Sequence, residues 1–149
     1  MIISENTFVT FSFSSLVVAC LTLLGLSDIN HIYDKAIIYF LLLSSTSFLI
    51  INDPYVIDAT HLLFMFSIFA ISIVSYNKFL LLLNIVIVII IILSRLYFGH
   101  CVINIKQKGK GTFLKINKMI NNKGTITQGN MLFTGILLFT IFKLVSSYK

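Results

Sequence analysis

The chain has 149 residues, of which 58% are hydrophobic and only 11% are charged. A typical soluble domain is about 45–50% apolar and about 25% charged, so this composition excludes an ordinary soluble domain and indicates a polytopic membrane protein. The net charge of +6 favours a surface near anionic lipid headgroups. Nucleic acid is not expected as a partner, because no nucleic-acid readout motif accompanies the charge.

The first two predicted spans cover residues 8–26 and 36–51, and a short polar connection separates them. The stretch before the first span carries Glu5 and no Lys or Arg, unlike a secretory signal, so we interpret this span as a retained helix. Small hydroxyl residues occupy the centre of the second span: Ser44, Ser45, Thr46 and Ser47. Such residues let helices pack closely and can donate to carbonyls one turn back, so they predict a packing face, with a polar path as the alternative.

The third predicted span covers residues 55–75. Pro54 breaks the chain before it, and Asp53 is well placed to cap the helix that begins at this proline. Asp58 and His61 lie three residues apart and therefore share one face near the N-terminal end of the span. Ionisable residues within a span are candidates for a proton or ion path. Because helix N-termini favour negative charge, capping and solvation of the helix end is the interpretation that we favour.

The fourth predicted span, residues 79–97, is the most apolar. Its first 15 residues, 79–93, hold one polar residue, Asn84, and no charge. The β-branched run 85–92 would favour a strand in water. In lipid every backbone amide must be satisfied internally, and the alternation typical of barrel strands is missing, so a helix is predicted.

Residues 99–130 differ from the rest, with five of the seven glycines and no long apolar run. We predict an extramembrane loop of weak β character that faces the cytoplasm or its equivalent. Six lysines are expected to contact anionic headgroups: Lys106, Lys108, Lys110, Lys115, Lys118 and Lys123. The fifth predicted span, residues 131–147, is short and contains Lys143, which can reach the interface from its position near the helix end. The predicted fold is therefore an all-α bundle of about five transmembrane helices in one membrane domain.

Motifs that carry catalysis are absent from the sequence: there is no Cys-x-x-Cys, His-Glu-x-x-His, phosphate-binding glycine loop or Gly-x-Ser-x-Gly. His31, His61 and His100 are far apart in sequence, which argues against a metal site. Cys20 and Cys101 are too few for a disulfide framework. We therefore predict no cofactor, no metal and no small-molecule substrate, and the sequence leaves enzyme activity uncertain.

The layout resembles subunit 6 of the proton-pumping NADH:ubiquinone oxidoreductase, respiratory complex I, a family of five-span proteins with a long loop between spans four and five. Similar patches are Asn30-His31-Ile32 before span two, Ser44 to Ser47, and Gly129-Asn-Met-Leu-Phe-Thr134 at the start of span five. In span three, the family's Tyr-x-Gly-Ala pattern runs into Val-Leu-Phe-Leu-Phe, with a π-bulge near the Tyr and Gly. This chain keeps Ala59 and the Leu-Phe-x-Phe end, and lacks the Tyr and the Gly.

The resemblance implies a non-catalytic subunit of the mitochondrial inner membrane that associates with other membrane subunits and binds no cofactor. It would help to couple quinone reduction elsewhere to proton translocation through span three. An alternative is a viral envelope or matrix-like protein in a viral or host internal membrane. Ser94-Arg95-Leu96 and Val102-Ile103-Asn104 are similar to the span-to-tail junction of nidovirus M proteins, which have three spans. A small membrane pore or assembly protein is a further alternative.

Overall fold

The computed structural model describes residues 4–26, 29, 31–99, 101–102 and 125–147, with side chains given from residue 130 onward in the last range. These residues form five helices: α1 (Glu5–Leu26), α2 (Ile32–Ile50), α3 (Pro54–Val74), α4 (Lys78–Phe98) and α5 (Thr125–Ser146). The predicted all-α bundle is confirmed. Four helices, α1 to α4, are long and apolar enough to cross a membrane, which identifies an integral membrane protein. The apolar part of α5, Asn130–Ser146, is shorter.

Two helices begin more than one turn before their predicted starts. Helix α2 begins at Ile32 rather than residue 36, and α5 begins at Thr125 rather than residue 131. The added residues are largely polar, and hydropathy detects the apolar part of a helix rather than its solvated first turn. Asp34 in the first turn of α2 also suits the positive end of the helix dipole. The predicted weak β character and the six lysines of the loop lie outside the described residues.

Side-chain caps define where α3 and α4 begin. The Asp53 carboxylate accepts hydrogen bonds from the backbone amides of Tyr55 and Val56, at 2.9 and 3.1 Å. This confirms the predicted cap, and Pro54 occupies the first turn as expected. Asn77 caps α4 in the same way. Helix α4 ends at Gly99, whose φ of 74° is a left-handed conformation that glycine adopts without strain.

The helices form two groups that meet at α3. Helix α2 packs between α1 and α3, while α4 pairs with α5, and α3 contacts both members of that pair. Phe13 of α1 meets Phe48 of α2 and Phe64 of α3, with ring centroids 4.6 and 5.7 Å apart. Close packing of this kind is the main source of helix association in lipid, where the hydrophobic effect between helices is absent. Helix α1 contacts α4 over only a small area.

Helix α5 runs antiparallel to α4 from one end of the bundle to the other. At the first end, Arg95 Nε donates to Asn130 Oδ1 at 3.1 Å. At the second end, Lys143 Nζ donates to the Ile73 carbonyl at 2.6 Å. We call these the Gly99 end and the Tyr76 end, after the connections that lie there. Although its apolar segment is only 17 residues long, α5 therefore contacts both ends of the bundle.

We expect α5 to cross the membrane, so that the segment joining α4 to α5 and the end of α5 face opposite sides. Single cysteines would be introduced as Lys115→Cys and Ser147→Cys in a chain whose two native cysteines are replaced by alanine. A membrane-impermeant maleimide applied from one side should then label only one of the two positions. Labelling of both from the same side would contradict a fifth crossing.

Two control positions calibrate the labelling. Asn52 lies at the Gly99 end and His31 at the Tyr76 end, and both are exposed. Lys115→Cys should follow the pattern of Asn52→Cys, and Ser147→Cys should follow that of His31→Cys.

Candidate functional site

The hydroxyl cluster of α2 faces the interior of the bundle. Ser44 and Ser45 are fully buried, and Ser47 is nearly so. Each hydroxyl donates to the carbonyl four residues back, as the Ser45 Oγ does to the Leu41 oxygen at 2.6 Å. The cluster therefore satisfies its own hydrogen bonds and offers small surfaces to α1 and α3, the neighbours of α2. This burial is internal to the chain, so the face packs against helices of the same chain.

Asp58 and His61 are brought together in the interior near the Gly99 end. Only 6% of Asp58 and 3% of His61 is exposed. The His61 ring lies edge-on to Phe48 of α2, with centroids 6.4 Å apart, and its Nε2 lies 4.0 Å from Cys101 Sγ. The cap of α3 comes from Asp53, so the position of Asp58 is a buried one beyond the first turn rather than the cap itself.

Asp58 lies one turn before His61 on the same face of α3, and both side chains are buried. A buried imidazole near a carboxylate can exchange a proton, and it can equally serve as a fixed polar contact between helices. The contact with Cys101 joins the residues after α4 to α3. Within the part of the chain that the structure describes, no group of three His, Cys, Asp or Glu side chains could hold a metal ion.

A second polar cluster, formed by Ser72, Asn84 and Thr140, lies in the bundle near the Tyr76 end. Asn84 and Thr140 are fully buried, and Ser72 is 3% exposed. The Asn84 Nδ2 donates to Ser72 Oγ at 2.8 Å and approaches Thr140 Oγ1 at 3.5 Å. The two hydroxyl oxygens are 2.9 Å apart. One side chain comes from each of α3, α4 and α5, so the cluster ties three helices together.

Lys143 lies one turn beyond Thr140 on α5. Its ammonium group reaches the Tyr76 end, as expected for a lysine near a helix end. There it donates to the carbonyls of Ser72 and Ile73 and sits 4.2 Å from the centre of the Tyr76 ring. These carbonyls belong to the last turn of α3, where the helix dipole is negative, so the cation stabilises that end. Asp34, buried in the first turn of α2, adds a negative charge that acts on the same lysine.

Sequence reasoning singled out Asn84 as the one polar residue of its apolar run but assigned it no role. The available signal was the cost of a polar side chain at membrane depth, which predicts a partner on another helix. Ser72 and Thr140 could not be chosen as those partners from sequence. Every span contains small hydroxyl residues, and only the packing of α5 against α3 and α4 selects these two.

The chain matches no family model, no curated protein and no solved structure. The interpretation of the two polar clusters therefore rests on their geometry.

The cluster predicts energetic coupling between α3 and α5. In a double-mutant cycle of Ser72→Ala and Thr140→Val, we expect a coupling free energy of about 0.6 kcal/mol, the average found for hydrogen bonds between membrane helices. The measurement is reversible unfolding of the purified protein in mixed micelles. Strict additivity of the two single changes would contradict the bond between the two hydroxyls.

Ser67 provides a matched control for this cycle. It is buried in the same helix, but its hydroxyl donates to the Leu63 carbonyl within α3. Ser67→Ala combined with Thr140→Val should therefore show a coupling free energy clearly smaller than that of Ser72→Ala with Thr140→Val in the same assay.

Proposed function

We propose that the protein is a non-catalytic subunit of a larger membrane assembly, the membrane arm of a proton-pumping NADH:quinone oxidoreductase of the mitochondrial inner membrane. The observation that carries the proposal is the order of the helices. Four long apolar helices with short connections are followed by a segment of more than 20 residues, from Gly99 to the start of α5 at Thr125, and by one further helix. This order agrees with the arrangement in subunit 6 of respiratory complex I.

The outer surface of the bundle supports a role as a subunit. Large apolar side chains face outward along every helix, and only 22% to 44% of each of the four long spans is buried within the chain. Such surfaces suit lipid and the apolar faces of other membrane subunits equally well. The viral alternative resembles proteins with three spans, whereas this chain has four helices that meet the requirements of length and apolarity.

The interior supports a passive rather than a conducting third helix. His61 and Ser72 are 11 residues apart on α3, about 16 Å along the helix axis. Phe64 and Ile68 are buried between them, and Ser67 donates within its own helix. Two apolar side chains and a serine bonded within its own helix thus lie on α3 between the two polar clusters. Helix α3 is also a regular α-helix from Pro54 to Val74, without the π-bulge of the family's third span.

Co-purification tests the proposal directly. A tagged chain would be isolated from its native membrane in mild detergent, separated on a native gel and analysed by mass spectrometry. We expect membrane subunits of the oxidoreductase in the same band, together with NADH:quinone reductase activity. Capsid or envelope proteins in that band would instead support the viral alternative, and a chain that migrates alone would contradict both.

A second prediction concerns Asp58 in the assembled complex. Asp58→Asn keeps the size of the side chain and removes the charge, so we expect proton pumping to stay unchanged if α3 is passive. Asp58→Leu should reduce stability by about 1 kcal/mol or more, because it removes a polar group beside buried His61. Pumping would be measured in reconstituted vesicles at equal complex content. Loss of pumping by fully assembled Asp58→Asn would assign α3 a proton path.

A further inference from the structure

A narrow cavity of about 230 Å³ separates α1 from α4, where these helices have little direct contact. Its walls are almost entirely apolar, with Phe64 of α3 behind it. An apolar cavity of about 150 Å³ is already large enough to hold benzene and stays free of water. This cavity can therefore hold an apolar ligand larger than benzene, and its apolar walls offer water few hydrogen-bond partners.

The cavity is long and thin. On α1 its lining runs from Phe8 to Ala19, and on α4 from Leu83 to Arg95. At 1.5 Å per residue these segments measure about 16 and 18 Å. A helix 10 Å wide and about 17 Å long would occupy roughly 1,300 Å³, far more than this cavity can hold. The shape excludes a helix from another subunit and suits a single hydrocarbon chain.

The length of the cavity also matches one leaflet of a bilayer. The hydrocarbon core is about 30 Å thick, so one leaflet contributes about 15 Å. The cavity begins at Leu83, in the second turn of α4, and ends at Arg95, in the last turn of that helix. Phe8 and Phe98 close the same end, with ring centroids 5.4 Å apart.

Arg95 gives the cavity a charged end. Its side chain lines the cavity, donates from Nε to the neutral Asn130 amide and lies 5.9 Å from the centre of the Phe133 ring. It forms no ion pair within the described part of the chain. A guanidinium group in this position is suited to bind the phosphate of a lipid whose chain lies in the cavity.

We propose that the groove between α1 and α4 is a binding site for an anionic phospholipid, with one acyl chain in the cavity and the phosphate on Arg95. The site requires only that the protein lies in a membrane. This lipid proposal can therefore be tested separately from the proposed respiratory function. Bound lipid would fill the space that the weak contact between α1 and α4 leaves open, and so would hold the two groups of helices together.

The test uses the full chain in nanodiscs of phosphatidylcholine with about a tenth phosphatidylglycerol, followed by native mass spectrometry of the released protein. We expect the unaltered chain to retain one phosphatidylglycerol in preference to phosphatidylcholine. Arg95→Gln should lower the ratio of the two retained lipids roughly fivefold, the effect of losing one basic residue at an anionic surface. Arg95→Lys should keep most of the preference.

A matched pair on α1 tests the cavity itself. Ser12 lines the cavity and Ser14, two residues later, is exposed and does not. Ser12→Leu should fill the space and reduce retention of both lipids, while Ser14→Leu should behave like the unaltered chain. Equal retention by these two variants would overturn the proposal, even if Arg95→Gln failed to fold. Retention of the two lipids by the unaltered chain in the ratio of the nanodisc, or retention of a second copy of the chain in place of lipid, would overturn it as well.

Discussion

The bundle depends on how polar groups are satisfied where water is absent. Most of its hydroxyls donate to carbonyls of their own helix and therefore need no hydrogen-bond partner on a neighbouring helix. Asn84 is an exception: its amide nitrogen donates to α3, and its Oδ1 is buried without a hydrogen-bond partner among the described residues. Its bonds to Ser72 and Thr140 connect α3, α4 and α5 at one place. The short fifth helix is held to the bundle there and at the two end contacts made by Arg95 and Lys143.

Much of the fold could be predicted from the sequence, because membrane insertion leaves a long apolar segment few alternatives to a helix. All five helices were predicted on that basis, while the Asp53 cap and the break at Pro54 were predicted from capping preference and proline geometry. The starts of α2 and α5 were not, since a polar first turn extends a helix without extending its apolar stretch. The partners of Asn84 could not be predicted from the sequence either, because they depend on which helices become neighbours.

The two polar clusters differ in character as well as position. Asp58, His61 and Arg95 are ionisable groups that lie toward the Gly99 end, whereas the Asn84 cluster near the Tyr76 end is neutral. Lys143 and Asp34 add charge only at the margin of that second end. Between the clusters α3 presents Phe64 and Ile68 to the interior. The polar groups of α3 are therefore concentrated toward its two ends, with apolar side chains buried between them.

The gap between α1 and α4 follows from the same arrangement. Helix α1 packs mainly on α2, and α4 packs on α5 and α3, so α1 and α4 have little direct contact. Two apolar helix faces gain no hydrophobic energy from direct contact in lipid, because the lipid chains are equally apolar. Leaving a narrow space for an acyl chain therefore costs the protein little. Arg95 would then give that space a preference for one class of lipid, because a guanidinium group distinguishes headgroups by charge while the hydrocarbon walls do not.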